Sequence, residues 1–401
     1  MPKVKTIVIK SILQFYGIGT PIDVTAFFAL ILVGDIAFSL FYKQSRKTIS
    51  YNNLILIISL LSFYTWMLIS ISYSKSDTYC IQKSFLFTTN ILAFAYPLLK
   101  PKFNYKLFFK VFIVLVMIFT LWFIPYMLKY LNDWALLLQD KYLNLSGLYL
   151  TLGFFHGLNL IVLISTKYRI FSKNIDLITM VLTFGIILLL SARGPLVFLI
   201  IVLIIFIIYK ISIKFNYIVY SLNRVVLFSI MFLLILTSLL FVYGKFNKQI
   251  DVLASNSFYR ISLLFEENKG DSVNERIDMI NFSIEHITKD TKSLFFGYGI
   301  GSYGVLENGV DERDYPHNII LEILFEIGLI GLILFAFFII LVFYKKSHII
   351  SVFVFLYIYL NYMKSGSLVD MRVGFALLGV FAIYNLSENE SLSLNISTSK
   401  K

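Results

Sequence analysis

Four residues far apart in the chain have side chains suited to holding an anion and moving a proton: Arg193, Arg276, His317 and Asp370. Arg193 lies in Ser191-Ala192-Arg193-Gly194-Pro195, and Pro195 suits the first turn of a helix whose free N–H groups point the same way as the cation. A guanidinium beside a helix N-terminus is a receptor for phosphate. The plainer account is an arginine snorkelling to a membrane interface. Arg276 falls on the polar face of an amphipathic pattern, where a solvated charge or a neighbour pair with Glu275 explains it as simply. His317 stands in Tyr315-Pro316-His317-Asn318, just before the apolar run from Ile319 to Phe343; its plainer role is to cap or anchor that helix. Asp370 ends Ser367-Leu368-Val369-Asp370, which also reads as a capping box. Arg372 could pair with Asp370 or bind an anion. Glu326 is nine residues beyond His317, or about 13 Å along a helix. An acid at that depth should face the interior of a bundle. Asp23 and Asp35 raise the same question, and no neighbour in sequence gives them a role.

The elements that position these residues follow from composition. Hydrophobic residues make up 58% of the chain and charged residues 14%, in apolar runs that repeat from end to end. This describes an all-α polytopic membrane protein. About twelve spans are expected: 6–19, 22–42, 51–72, 78–99, 107–128, 147–165, 175–191, 195–213, 223–243, 317–343, 348–362 and 368–385. Cations such as Lys43, Arg46 and Lys47, or Lys167, Arg169 and Lys173, gather in alternate loops, so those loops and both termini are expected on the cytoplasmic side. The segment 244–316 then lies outside. Within it, Ile277, Ile280, Ile284 and Ile287 recur at steps of three and four, which predicts an amphipathic helix from Asn274 to Ile287. A flexible turn, Gly297-Tyr298-Gly299-Ile300-Gly301, follows. It succeeds no βα unit, so it is not a dinucleotide fingerprint. The net charge of +12 is distributed by topology and does not indicate a nucleic-acid partner. The single cysteine, Cys80, can form no internal disulfide. The N-terminal apolar stretch lacks a cleavage site and is read as a retained span. Arg193, Arg276, His317 and Asp370 all map to the outer side.

Several stretches together resemble the bacterial O-antigen polymerase and O-antigen ligase superfamily. They are Ser191 to Leu196, Glu275-Arg276-Ile277-Asp278-Met279-Ile280, Phe296-Gly297-Tyr298-Gly299, and His317-Asn318 with, after nine intervening residues, Gly328-Leu329-Ile330-Gly331. Ser367 to Asp370 is similar to the family's C-terminal acidic position. The resemblance covers about 147–385 and divides the chain into N-terminal membrane helices (1–146), the family region (147–385, with the outer loop 244–316 containing short helices) and a cytoplasmic tail (386–401).

The resemblance implies a GT-C-like bundle in the bacterial inner membrane, acting as a metal-independent inverting glycosyltransferase without a cofactor. The donor would be a glycan on undecaprenyl pyrophosphate, and the acceptor a second lipid-linked glycan (polymerase) or a lipid A-core or comparable anchor (ligase). Membrane lipid, a flippase and a chain-length regulator are the implied partners. Arg193 and Arg276 match the family's functional arginines and His317 its histidine. Guanidinium groups suit a pyrophosphate leaving group, and Arg372 is placed with them. His317 and Asp370 are rival bases for the acceptor hydroxyl. A polysaccharide transporter or flippase is the alternative from another class. It would show broken helices and polar groups at mid-membrane depth.

Overall fold

A computed structural model describes residues 24–41, 51–100, 103–129, 148–165, 170–190, 192–213, 271–344 and 349–383. The expected spans 6–19 and 223–243, Asp23, the outer segment up to 270 and the tail 386–401 lie outside these residues. The described chain is helical, with no strand among the described residues. The longer helices are α1 (Val24–Phe41), α2 (Tyr51–Ile69), α3 (Tyr79–Leu99), α4 (Tyr105–Lys129), α5 (Leu148–Ser165), α6 (Lys173–Leu189) and α7 (Arg193–Ile213). They are followed by α8 (Asp271–Thr288), the short α9 (Thr291–Phe296) and α10 (Tyr303–Asn308), then α11 (Ile319–Tyr344), α12 (Ile349–Ser365) and α13 (Arg372–Ile383). Three stretches, Tyr51–Tyr73, Tyr105–Phe123 and Ile319–Tyr344, are long and apolar enough to cross a membrane.

Two compact units divide the chain. One holds α4 to α7, with Leu356–Asn361 of α12. In it α5 packs on α6 and α7, and buried His156 shares a 2.6 Å hydrogen bond with the Thr120 hydroxyl. The other unit holds α1 to α3, α8 to α11, α13 and the rest of α12. There α11 lies against α2, and Phe63, Phe87, Phe94, Phe335, Phe338 and Phe375 interlock in a buried aromatic core. Phe94 and Phe338, for example, meet edge to face at 5.0 Å, the arrangement that ring quadrupoles favour.

The run after His317 is not one unbroken helix. Gly328 has φ +68°, and a Cβ there would stand 2.2 Å from the Phe295 carbonyl oxygen. Only glycine fits both the conformation and the space. The break frees three carbonyls, and each finds a donor. The Tyr298 N–H donates to Phe325 O at 2.9 Å, the Gly299 N–H to Glu326 O at 2.8 Å, and the Trp66 indole to Ile327 O at 2.9 Å. Irregular backbone at membrane depth is tolerated only where protein satisfies it in this way. The Gly297–Gly301 turn, expected to be flexible, is therefore a cap for the break; Gly299 itself presses on the Ser74 backbone.

The amphipathic helix is present as α8, but the buried stripe differs from the isoleucine pattern. Ile277 and Ile284 are 49% and 47% exposed. The packed side carries Met279, Phe282, Ser283 and Ile287 against Phe325, Leu321 and Leu324 of α11. Of the four isoleucines at helical spacing only Ile287 is in the buried cluster, and the stripe that α11 accepts is rotated away from Ile277 and Ile284.

Candidate functional site

The site is built on the strap between α10 and α11. Asp311 fastens it to the start of α3. Its carboxylate accepts from the Ser76 hydroxyl at 2.5 Å, from the Thr78 N–H and hydroxyl at 2.7 and 2.8 Å, and from the Asp77 N–H at 3.0 Å. Burial pushes this carboxyl up, but the hydrogen bonds from Ser76 and Thr78 outweigh it and hold it below the usual range. Two residues on, the Arg313 guanidinium reaches Asp370 at 2.5 Å and lies 5.8 Å from the Tyr315 ring centroid. Tyr315 contacts His317, ring to ring, at 4.6 Å. The four side chains thus form a continuous wall: Asp370, Arg313, Tyr315, His317.

Local geometry explains why His317 stands out from the helix it precedes. Its N–H donates to the Tyr315 carbonyl at 2.8 Å, closing a tight turn around Pro316, and its φ is +52°. It is the only non-glycine residue with positive φ among the described residues. Backbone strain of this kind persists only where the surroundings impose it. The helix is capped instead by Asn318, whose side-chain oxygen accepts from the Ile320 and Leu321 N–H groups at 3.0 and 3.2 Å. His317 is therefore not the cap. Burial lowers its pKa below 6.5, and the nearby Arg276 cation lowers it further, against the carboxylates of Asp314, Glu322 and Glu275. Its Nδ1 is buried without a hydrogen-bond partner. Burial and the Arg276 cation thus both favour the uncharged ring.

Arg276 departs from its expected place on the polar face. On a 3.6-residue period it shares a stripe with Ser283 and Ile287, both buried, so it points toward the strap, and His317 feels its charge. It makes no ion pair among the described residues. The capping box at Ser367 does not form. The Ser367 hydroxyl donates instead to Glu322 Oε1 at 2.9 Å, and the Asp370 carboxylate goes to Arg313. Arg372, which could have paired with Asp370, begins α13 and lies within electrostatic reach of Tyr362, whose hydroxyl donates to the Asp370 carbonyl at 2.9 Å. Arg193 begins α7 in the other unit.

Beneath the wall is an ion cluster that the sequence reading missed. Lys83 Nζ lies 2.6 Å from Glu322 and 2.7 Å from Glu326, all three fully buried. Glu322 Oε2 also accepts from the Leu368 N–H at 2.8 Å, so the cluster carries the turn that bears Asp370. Glu326 does face inward, as its depth required, and Asp35 is engaged elsewhere, by Lys100 and the Tyr96 hydroxyl. Glu322 and Glu326 are one helical turn apart, and Lys83 is a lone cation early in an apolar helix. Those were the available signals for them. Arg313 and Tyr315 had none, since a polar loop is full of such residues.

Residues 178–336 match the sequence model of a family described as O-antigen ligase. That stretch is similar to the O-antigen polymerase and ligase superfamily. No curated protein matches the chain. The polymerase and ligase region includes Arg193, Arg276, His317 and both glutamates of the ion cluster, whereas Lys83, Asp370 and Arg372 come from outside it. The matched stretch and the apolar helices together point to a membrane protein with an O-antigen ligase-like region.

Proposed function

We propose that the protein polymerises undecaprenyl-pyrophosphate-linked oligosaccharide units at the outer face of the bacterial inner membrane, supplying O-antigen, capsule or another surface polysaccharide. The observation that carries this reading is a neutral histidine held in a strained turn, in the field of Arg276 and beside the Arg313–Asp370 pair. His317 takes the proton of the acceptor hydroxyl as the oxygen attacks the anomeric carbon. The bond from that carbon to the pyrophosphate breaks, and the lipid pyrophosphate leaves with the electron pair. Arg276 stabilises the charge gathering on the leaving group, since a guanidinium keeps its charge and can bind phosphate bidentately. Asp370 was the rival base, but its carboxylate is occupied by Arg313, so the base role goes to His317. Arg193 and Arg372 are kept as phosphate contacts on the sequence resemblance alone, and the reaction is written as inverting and metal-independent on the same basis. The arrangement of about twelve spans, with 1–146 as N-terminal helices, 244–316 outside and both ends cytoplasmic, belongs to the proposal.

Transfer of finished chains to a lipid A-core or comparable anchor is the second reading, because the same family model covers both chemistries. A deletion strain complemented with wild type, His317→Ala, Arg193→Ala or Arg276→Ala at matched membrane levels separates the outcomes. Single-repeat products, converted to a ladder by wild type alone, support the polymerase. Long chains retained on the lipid carrier support the ligase. Wild-type ladders from all three variants would overturn the site and bring forward a transporter, for which the break beside Glu326 is the one structural argument.

A further inference from the structure

The phenol of Tyr79 is 3% exposed, and its hydroxyl has no hydrogen-bond partner. A buried polar group without a partner is unfavourable by about 1–3 kcal/mol, so each instance in a native protein needs an explanation. The surroundings supply one. Lys83 Nζ lies 5.8 Å from the Tyr79 ring centroid, and Glu322, Glu326 and Arg313 are within electrostatic reach of the phenol. Asp311 holds the start of α3 to the strap that carries Arg313 and Tyr315. The unpartnered hydroxyl therefore lies between the ion cluster below and the wall above.

The charges around it are already matched. Lys83 is held by two carboxylates, and Arg313 by Asp370. A second anion gains little from cations so engaged. A neutral ligand bearing several hydroxyls fits better, because it can donate to a carboxylate, accept from a guanidinium and bond to a phenol at once. The Arg313 and Asp370 side chains remain 28% and 25% exposed, so the upper edge is open to such a ligand. Arg276, without an ion pair among the described residues, is the group left for phosphate.

We infer that Tyr79, with the Arg313–Asp370 pair and Tyr315, forms a sugar-hydroxyl subsite for the acceptor, separate from the phosphate contact at Arg276. This rests on the glycosyltransferase reading above and assigns which end of the site takes which chemistry.

The test is Tyr79→Phe in the full-length protein, reconstituted with lipid-linked repeat units extracted from the deletion strain. Removing a hydroxyl that touches only protein should leave melting temperature and activity unchanged, or raise the former. The subsite predicts an unchanged or higher melting temperature together with a KM raised about five- to tenfold, the worth of one neutral hydrogen bond. The kcat should stay near wild type. Binding of undecaprenyl phosphate, an anionic probe without sugar, should be unchanged in Tyr79→Phe and weakened in Arg276→Ala. A wild-type KM, or a fall in kcat alone, would overturn the subsite. Loss of activity in His317→Ala and Arg276→Ala with a wild-type Tyr79→Phe removes only this inference. Full activity in all three removes the parent reading.

Discussion

His317 is held by three constraints that pull its chemistry one way. The turn around Pro316 fixes its backbone, Tyr315 packs on its ring, and burial with the Arg276 cation keeps the imidazole neutral. A general base contributes about 10²- to 10⁴-fold, so under the proposed role His317→Ala should lower polymer formation by that range while leaving the protein folded. The pH dependence has a definite sign. Since the protonated ring is disfavoured, activity in wild type should fall on the acid side only below the ordinary histidine value of 6.5. Arg276→Ala removes a cation that opposes protonation, so the acid limb of the pH–rate profile moves to higher pH. A limb that stays put or moves down would separate Arg276 from His317. Residue type and segment put His317 and Asp370 forward as candidates because each stands at the head of an apolar run, whereas Arg276, in a polar helix, was put forward by the family resemblance. The engagement of Asp370 by Arg313, 57 residues away, on which the proposed choice of base rests, was not legible.

At the scale of elements, the broken helix and the ion cluster make different demands. Gly328→Ala must place a Cβ 2.2 Å from a backbone oxygen at a positive φ, so it should lower the melting temperature in detergent sharply, whatever happens to activity. Lys83→Met leaves Glu322 and Glu326 buried without their counter-ion, a loss of about 3–5 kcal/mol. Adding Glu322→Gln and Glu326→Gln should recover much of that stability, and failure to recover it would mean that the lysine contributes by packing alone. Helix positions follow from hydropathy, and α2, α3, α5 and α7 lie within a few residues of expectation. The break does not, because hydropathy averages over a glycine flanked by leucine and isoleucine. Lys83 is hidden in the same way, as one cation in a strongly apolar window. The packed stripe of α8 is decided by its partner α11, which no local period encodes.

For the whole molecule, the topology has a direct measurement. Cys80 is the only cysteine and is buried, so an introduced cysteine can be read without background. Asn308→Cys, on an exposed position, should react with a membrane-impermeant maleimide in intact spheroplasts, whereas Lys47→Cys should react only after lysis. The opposite pattern would invert the orientation and with it the proposed site of polymerisation. The division into two units was not legible either. The grouping of Lys106–Gly270 with Leu356–Asn361 follows contacts between helices, which hydropathy along the chain does not encode. The two N–H groups that the Gly297–Gly301 turn gives to the Gly328 break have a final consequence. A segment that supplies N–H groups to carbonyls of a membrane helix cannot swing aside between turnovers without leaving them bare. The Gly297–Gly301 turn is thus a fixed sill, and in the proposed polymerase a lengthening glycan would slide across it and not wait for it to lift.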